Sequence, residues 1–500
     1  MLSAEEIKRL IDDDSTSERK RFAKIGQRYY EADHDILQYR IFYYNADGVL
    51  VEDKSRANSR ICHPFFTELA DQLPAYMLSF DENPIRAKHT AEGLQDYLDQ
   101  YFDEEFWAEI HELITGAYVK GFEYLYAYQN SEDRIAFQCA DGMGVVEVRA
   151  KDTDDGCEYY LYWYIDRIDK GKKEIKRIRV HDAQGTHYFV QVDNGKIVPD
   201  DSEKINPKPH IVWPDEKTGE KMGSGFGYIP FWRLDYNRKQ ISGLKPIKGL
   251  IDDYDLMECG LSNNLQDFDN PIYVVKGFEG GGDDNEAMER LQHNIRTKRA
   301  MGVPPDADLD IKTINVPYQA RKTKADEDEK NIYRFGMGLN SSQTGDGNIT
   351  NVVIRSRYTL LDLKANKVEP RLKRLLKKVI KVVLDEINGK SGTDYQVSDV
   401  EIVFERILPT NEQETAQIAQ MEAQTEQIKI NNLLSAASVI GDEEVLRGMC
   451  EIYDLDFDEL SAKVGKPKEE IGVEDAMKTL EGVVTDDEQG GETDPETIPE

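Results

Sequence analysis

Cysteine is scarce and odd in number, five in 500 residues with no CxxC pair, which argues against a disulfide framework or a zinc scaffold. No apolar run approaches the ~18–20 residues that a membrane-spanning helix needs, so no membrane partner is expected. The opening Met1-Leu2-Ser3-Ala4-Glu5-Glu6 lacks the basic and apolar regions of a secretory leader. Cations are short as well. Lys and Arg number 63 against 96 Asp and Glu, a formal charge of −33. Such a surface repels polyphosphate, which argues against a protein that grips DNA to read its sequence. Hydrophobic residues make up 39%, below the usual globular share but enough for a core. The length predicts two to four domains or subdomains, and the composition that of a soluble protein made in a reducing compartment.

Catalytic motifs are missing too. There is no GxxxxGK[ST] loop and no GxSxG elbow. In His111-Glu112-Leu113-Ile114-Thr115, Thr115 stands where a zinc-binding helix needs its second histidine. Asp306-Ala307-Asp308-Leu309-Asp310 starts like a calcium loop, but Ile311 occupies the turn-glycine position and Pro317 the place of the bidentate Glu. The eight histidines show no ligand spacing. No enzyme, cofactor or metal site is expected.

What is present divides the chain by pattern. Ser3-x-x-Glu6 is a capping-box spacing that predicts a helix from about residue 4. Residues 63–79 read as a helix interrupted by Pro74, and 94–119 as another. Two-residue alternation then predicts a meander of short antiparallel strands from 121 to 192, so residues 1–240 form an α+β unit. From Ile247 to Phe268 apolar residues recur at three- and four-residue steps, the mark of a long helix. Strands and a short helix are expected from 272 to 316. Residues 318–335 predict a helix polar nearly all round, a kind that is seldom stable without neighbours. The stretch 336–348 is rich in Gly and amides and has no lysine. Residues 350–388 predict a long helix kinked near Pro370, with ten cations against four acids. Ile402–Phe404 predicts a strand, and Thr410-x-x-Gln413 a second capping box opening a Gln/Ala-rich helix to about Val439. Short helices near 442–450 and 456–463 precede an acidic tail, expected to be disordered.

Several of these segments resemble the SPP1-type portal proteins of tailed bacteriophages. The likeness lies in Asn58-Ser59-Arg60-Ile61, Phe65-Phe66 and Ala75-Tyr76, then in Gly227-Tyr228-Ile229-Pro230-Phe231. It continues through Leu250-Ile251-Asp252-Asp253-Tyr254-Asp255, Ser262 to Phe268 and Ile332-Tyr333-Arg334-Phe335-Gly336. Gly347-Asn348 and Leu360 to Lys367 complete it, in the right order over about residues 25–440. Thr350-Asn351 departs from the small Ser-Gly-like pair expected after Gly347-Asn348.

The resemblance implies an α+β portal fold with long helices, closing into a homo-oligomeric ring, typically of twelve subunits, around a DNA channel at one capsid vertex. Residues 1–244 and 350–409 would form the wing, 245–268 and 317–336 two stem helices, and 269–316 the clip. Residues 337–349 would be the tunnel loop, 410–465 a helical crown, and 466–500 the acidic tail. Asn340, Ser341, Ser342, Gln343, Thr344, Asp346 and Asn348 would face DNA from the loop; Asp252, Asp255, Asp326, Glu327 and Glu329 would line the stem channel. Implied partners are double-stranded DNA passing without sequence preference, the large terminase, major capsid and scaffolding proteins, and a head–tail adaptor. The particle would be part of the virion, assembled in the host cytoplasm. Two other readings stand beside this one. The first is an acidic protein-binding scaffold without a DNA channel. The second is a metal-dependent nuclease at Asp252, Asp253 and Asp255, which the ~100° between successive helix positions disfavours.

Overall fold

The computed structural model describes residues 2–45, 47–54, 56–91, 93–150, 156–169, 173–214, 221–268, 272–276, 308–312, 318–340, 350–407, 412–453 and 457. Ser3 caps helix α1 (Ala4–Ser15): its hydroxyl accepts from Glu6 N, and the Glu6 carboxylate returns the contact to Ser3 N at 2.8 Å. Helix α2 (Glu18–Tyr30) follows, then an exposed two-stranded hairpin, Phe42–Tyr44 with Leu50–Glu52.

Helix α3 (Phe65–Met77) runs unbroken through Pro74, against the expected interruption. Proline cannot supply the N–H that the Ala70 carbonyl would take. Beside that carbonyl, the Leu69 oxygen accepts from Lys364 Nζ at 3.1 Å. The single helix expected over 94–119 is two, α4 (Leu94–Tyr101) and α5 (Glu104–Lys120). Asp103 makes the division: it caps α5 by accepting from Phe106 N at 2.9 Å.

The alternating strands form two main sheets. One is three-stranded and antiparallel, with Phe122–Gln129 between Phe231–Asp235 and Ile135–Ala140. The other is a meander through Val145–Arg149, Cys157–Asp169, Lys173–His181 and Gly185–Val192, edged by two short strands. Ile7 and Ile11 of α1 pack on the meander through Val146, Leu161, Ile178 and Phe189.

Helix α6 (Lys248–Phe268) and helix α7 (Tyr318–Gly336) lie side by side and antiparallel: Ile247 meets Gly336 at one end, Gly260 meets Arg321 at the other. The strand pair Ile272–Lys276 with Asp308–Lys312 stands between them in the chain. Helix α7 is not polar all round. Ala325, Asp328, Ile332, Tyr333 and Gly336 are buried at three- and four-residue spacing, a stripe disguised in the sequence by Asp328.

Helix α8 (Asn351–Ser391) continues through Pro370, and its 41 residues span roughly 60 Å. Leu372, Leu376, Val379, Val383 and Ile387 form its buried side, in one core with Phe66, Leu69 and Leu73 of α3, Ile110 and Leu113 of α5, and Ile251 and Ile332. Strand Val400–Ile402 pairs with Ile85–Ala87 and returns the chain to this body.

The chain divides into two compact units. Residues 1–347 and 352–409 make the first; residues 348–351 and 410–500 make the second. In the second, α9 (Glu412–Ile440) packs against α10 (Asp442–Tyr453). Gly448 permits that approach, since a Cβ there would sit 2.8 Å from a Leu433 methyl. The Thr410 cap, all but residue 457 of the helix expected at 456–463, the acidic tail and most of 269–316 lie outside the described residues.

Candidate stem and loop site

Residues 59–63 run along α6 like a strap. Ser59 N donates to Asn263 Oδ1 at 2.6 Å, Gln266 Nε2 to Ser59 Oγ at 3.0 Å, and Ile61 N to Cys259 Sγ at 3.2 Å. One turn further along α6, the Asp255 carboxylate accepts from His63 N at 2.9 Å and contacts His63 Nδ1 at 2.8 Å and His34 Nδ1 at 2.7 Å. Burial opposes its charge, but the hydrogen bonds from His34 and His63 prevail and hold its pKa below the ordinary aspartate value.

Asp255 is therefore no channel-wall residue. It is 0% exposed, shut inside the protomer by the two histidines. Its side chain fixes the strap and the loop at His34 to α6. The face shared by Asp252 and Asp255 was legible from spacing; its burial was not, because the covering histidines come from 192 and 221 residues away.

The neighbouring carboxylates have partners of their own. Asp252 accepts from Tyr29 Oη and, at 2.7 Å, from Lys248 Nζ, which also donates to Asp35 at 2.7 Å. Asp253 meets Lys324 of α7 at 2.6 Å, and the same ammonium pairs with buried Asp328. Three acids with three different sets of partners do not converge on an ion. Among the described residues no group of His, Cys, Asp and Glu is placed to hold a metal. Asp326 and Glu327 are exposed on α7, and Glu329 is half-buried.

The 337–349 segment starts from a built anchor. Helix α7 ends in a Schellman turn: Gly338 N donates to Tyr333 O at 3.0 Å and Met337 N to Arg334 O at 3.3 Å, with Met337 at φ 53°. Gln72 of α3 clamps the next residue, donating to Leu339 O at 2.7 Å and accepting from Leu339 N at 2.8 Å. Asn340 Nδ2 donates to Glu329 at 2.9 Å. A Cβ on Gly338 would lie 2.1 Å from a Leu69 methyl, so any larger residue must push Leu69 aside. Of the loop residues expected to meet DNA, Asn340 is placed; Ser341, Ser342, Gln343, Thr344, Asp346 and Asn348 lie outside the described residues.

Under this anchor sits Lys364, 0% exposed, its Nζ 4.3 Å from the centre of the Tyr118 ring and hydrogen-bonded to Leu69 O. Burial lowers its pKa to about 7. Neither Gln72 nor Lys364 stood out in the sequence. Gly336-x-Gly338 was the available signal, and it reads equally well as a flexible turn.

The helix pair, the strand pair between its members in the chain and the clamped start of the 337–349 segment all lie within one match to a known family. The family model described as phage portal protein, SPP1 Gp6-like, matches residues 8–453, and the chain belongs to that family. The portal protein of Bacillus phage SPP1 is 23% identical over 394 residues, 78% of this chain and 75% of that protein. The portal protein of Clostridium phage phiCD119 is 24% identical over 426 residues, covering 77% of this chain and 85% of its own length. The function is that of a phage portal protein, a virion component through which DNA enters and leaves the capsid.

Proposed function

We propose that the chain closes into a ring of about twelve copies whose stem is built from α6 and α7, and that its wall is passive toward DNA. The family match from residue 8 to residue 453 carries this reading, because it covers the stem, the loop and the long helix together. Head-to-tail contacts that close by rotation give such rings. A duplex carries one charge per ~1.7 Å, and a cationic wall would hold it by counterion release. Exposed Asp326 and Glu327, with half-buried Glu329 on the same helix, supply the opposite sign; Asp252, paired with Lys248, adds little to it. Screening over ~8 Å keeps that repulsion short in range, so the duplex slides. The 340–348 segment, with amides, hydroxyls and Asp346 but no cation, would touch phosphates by neutral hydrogen bonds that break easily.

In this reading the ring hydrolyses nothing. A separate terminase drives DNA through it, capsid and scaffolding proteins seat it during assembly in the host cytoplasm, and a head–tail adaptor docks on it afterwards. Replacing Ser341 to Thr344 with alanines tests the loop. DNA packaged per capsid should fall while ring formation is kept; packaging at the unsubstituted level would refute the loop's role.

A further inference from the structure

Helix α8 carries a stripe of cations that no carboxylate pairs with among the described residues. Lys367, Arg371, Arg374, Lys377, Lys378 and Lys381 fall on the side opposite its buried leucines and valines; Arg371 is half-buried and the other five are exposed. Over the 15 residues from Lys367 to Lys381, ~21 Å of helix, six positive charges are stacked at three- and four-residue spacing. Like charges at that spacing destabilise a helix. Among the described residues none of the six makes an ion pair, while Lys373, Lys390 and Lys324 all find carboxylates. In a chain of net charge −33, a cationic stripe without a carboxylate partner among the described residues is a surface open to a second copy.

The same chain supplies the complement. No Lys or Arg occurs between residues 89 and 119. Within that stretch Asp96, Asp99, Asp103, Glu104, Glu105 and Glu112 are exposed on α4, α5 and their junction, and none of them forms an ion pair among the described residues. Asp103 and Glu104 edge an open groove of about 630 Å³ with Phe80, Phe102 and Trp107 in its lining. Carboxylates beside aromatic rings are what a long cationic side chain needs: its head meets the acid, and its methylenes and charge lie against the rings. Stripe and acidic face are both turned away from the core that α5 and α8 share.

We infer that the α8 stripe of one copy docks on the α4–α5 acidic face of a second copy, as a head-to-tail contact. This rests on the ring reading and adds to it which surfaces meet. A second copy suits the stripe better than a nucleic acid: it brings the aromatic groove as well as the charge, whereas a duplex would have to approach a chain whose net charge repels it.

The test is a charge swap in the full chain, read as particle mass by native mass spectrometry and sedimentation near 0.15 M salt. R374E/K377E/K378E should lose closed particles, at least tenfold in the fraction assembled, and so should D99K/E104K/E105K. The six changes together should restore them. The milder R374Q/K377Q/K378Q, which adds no repulsion to the fold, should assemble less than the unsubstituted chain, and its assembly should depend less on salt. Rings from the unsubstituted chain together with unimpaired rings from both reversed variants would overturn this contact and leave the ring reading standing. A protomer at every salt and concentration in the unsubstituted chain would overturn both. Unchanged rings that lose retention of a short DNA duplex on stripe reversal would assign the stripe to DNA, and so overturn the contact.

Discussion

Replacing Lys364 with methionine should stabilise the protein at neutral pH and remove a pH dependence that the lysine imposes. The side chain is wholly buried, has one carbonyl acceptor and a tyrosine ring for company, and no carboxylate pairs with it among the described residues. Burial takes its pKa from 10.5 to about 7, while in the unfolded chain it keeps the ordinary value. Between pH 7 and 10.5 the unfolded state therefore binds the extra proton, and stability rises with pH. Each pH unit in that window is worth ~1.4 kcal/mol, so about 3 kcal/mol separates pH 7 from pH 9. Methionine fills a similar volume and carries no proton to lose. It forfeits one hydrogen bond, about 1 kcal/mol, and avoids a desolvation cost several times larger near pH 7. Urea denaturation of both proteins at pH 7, 8 and 9, at matched protomer concentration, reads the difference directly. The advantage of K364M should be about 3 kcal/mol at pH 7 and should shrink steadily toward pH 9. A K364M protein less stable by the same amount at every pH would show that the ammonium is well solvated or paired, and would refute the reasoning.

Three further outcomes follow from the same region. Gly338→Ala should cost roughly 1–3 kcal/mol by forcing Leu69 aside, and Leu69→Ala in the same chain should recover part of that, measurable as a double-mutant cycle. Asp255→Asn should destabilise by a few kcal/mol, since it strips a buried charge-assisted contact from His34 and His63. Because the folded pKa of Asp255 is depressed, its contribution is present above ~3.9 and lost as pH falls through the folded value; acid titration of stability should be shallower in the variant. Gln72→Ala should leave the fold intact and raise amide hydrogen exchange at Leu339, whose N–H it now holds; unchanged protection would show the clamp to be idle.

Periodicity made the helices legible where one face is apolar. Ile247 to Phe268 and the run from Leu372 to Ile387 could be read directly, and Ser3-x-x-Glu6 marked the start of α1 to the residue. The failures share a cause: long-range partners that no local pattern records. Pro74 looked like a break, yet the packing of Phe66, Leu69, Leu73 and Met77 in the core keeps that helix whole. Helix α7 looked polar all round because Asp328, paired with Lys324, stands on its buried side. Asp255 looked like a wall residue because His34 and His63 are remote in the chain. Asp326 and Glu327, with no apolar neighbour in the local pattern to suggest burial, are exposed on α7.

Electron microscopy of the purified full chain bears most directly on the central claim that copies join around an open hole with a wall that does not bind DNA. The account predicts closed rings with an axial opening wide enough for a duplex, the α6–α7 pair lining it and acid and amide groups at its surface. Lone protomers at every concentration, or rings whose lumen is lined by the α8 cations, would contradict it.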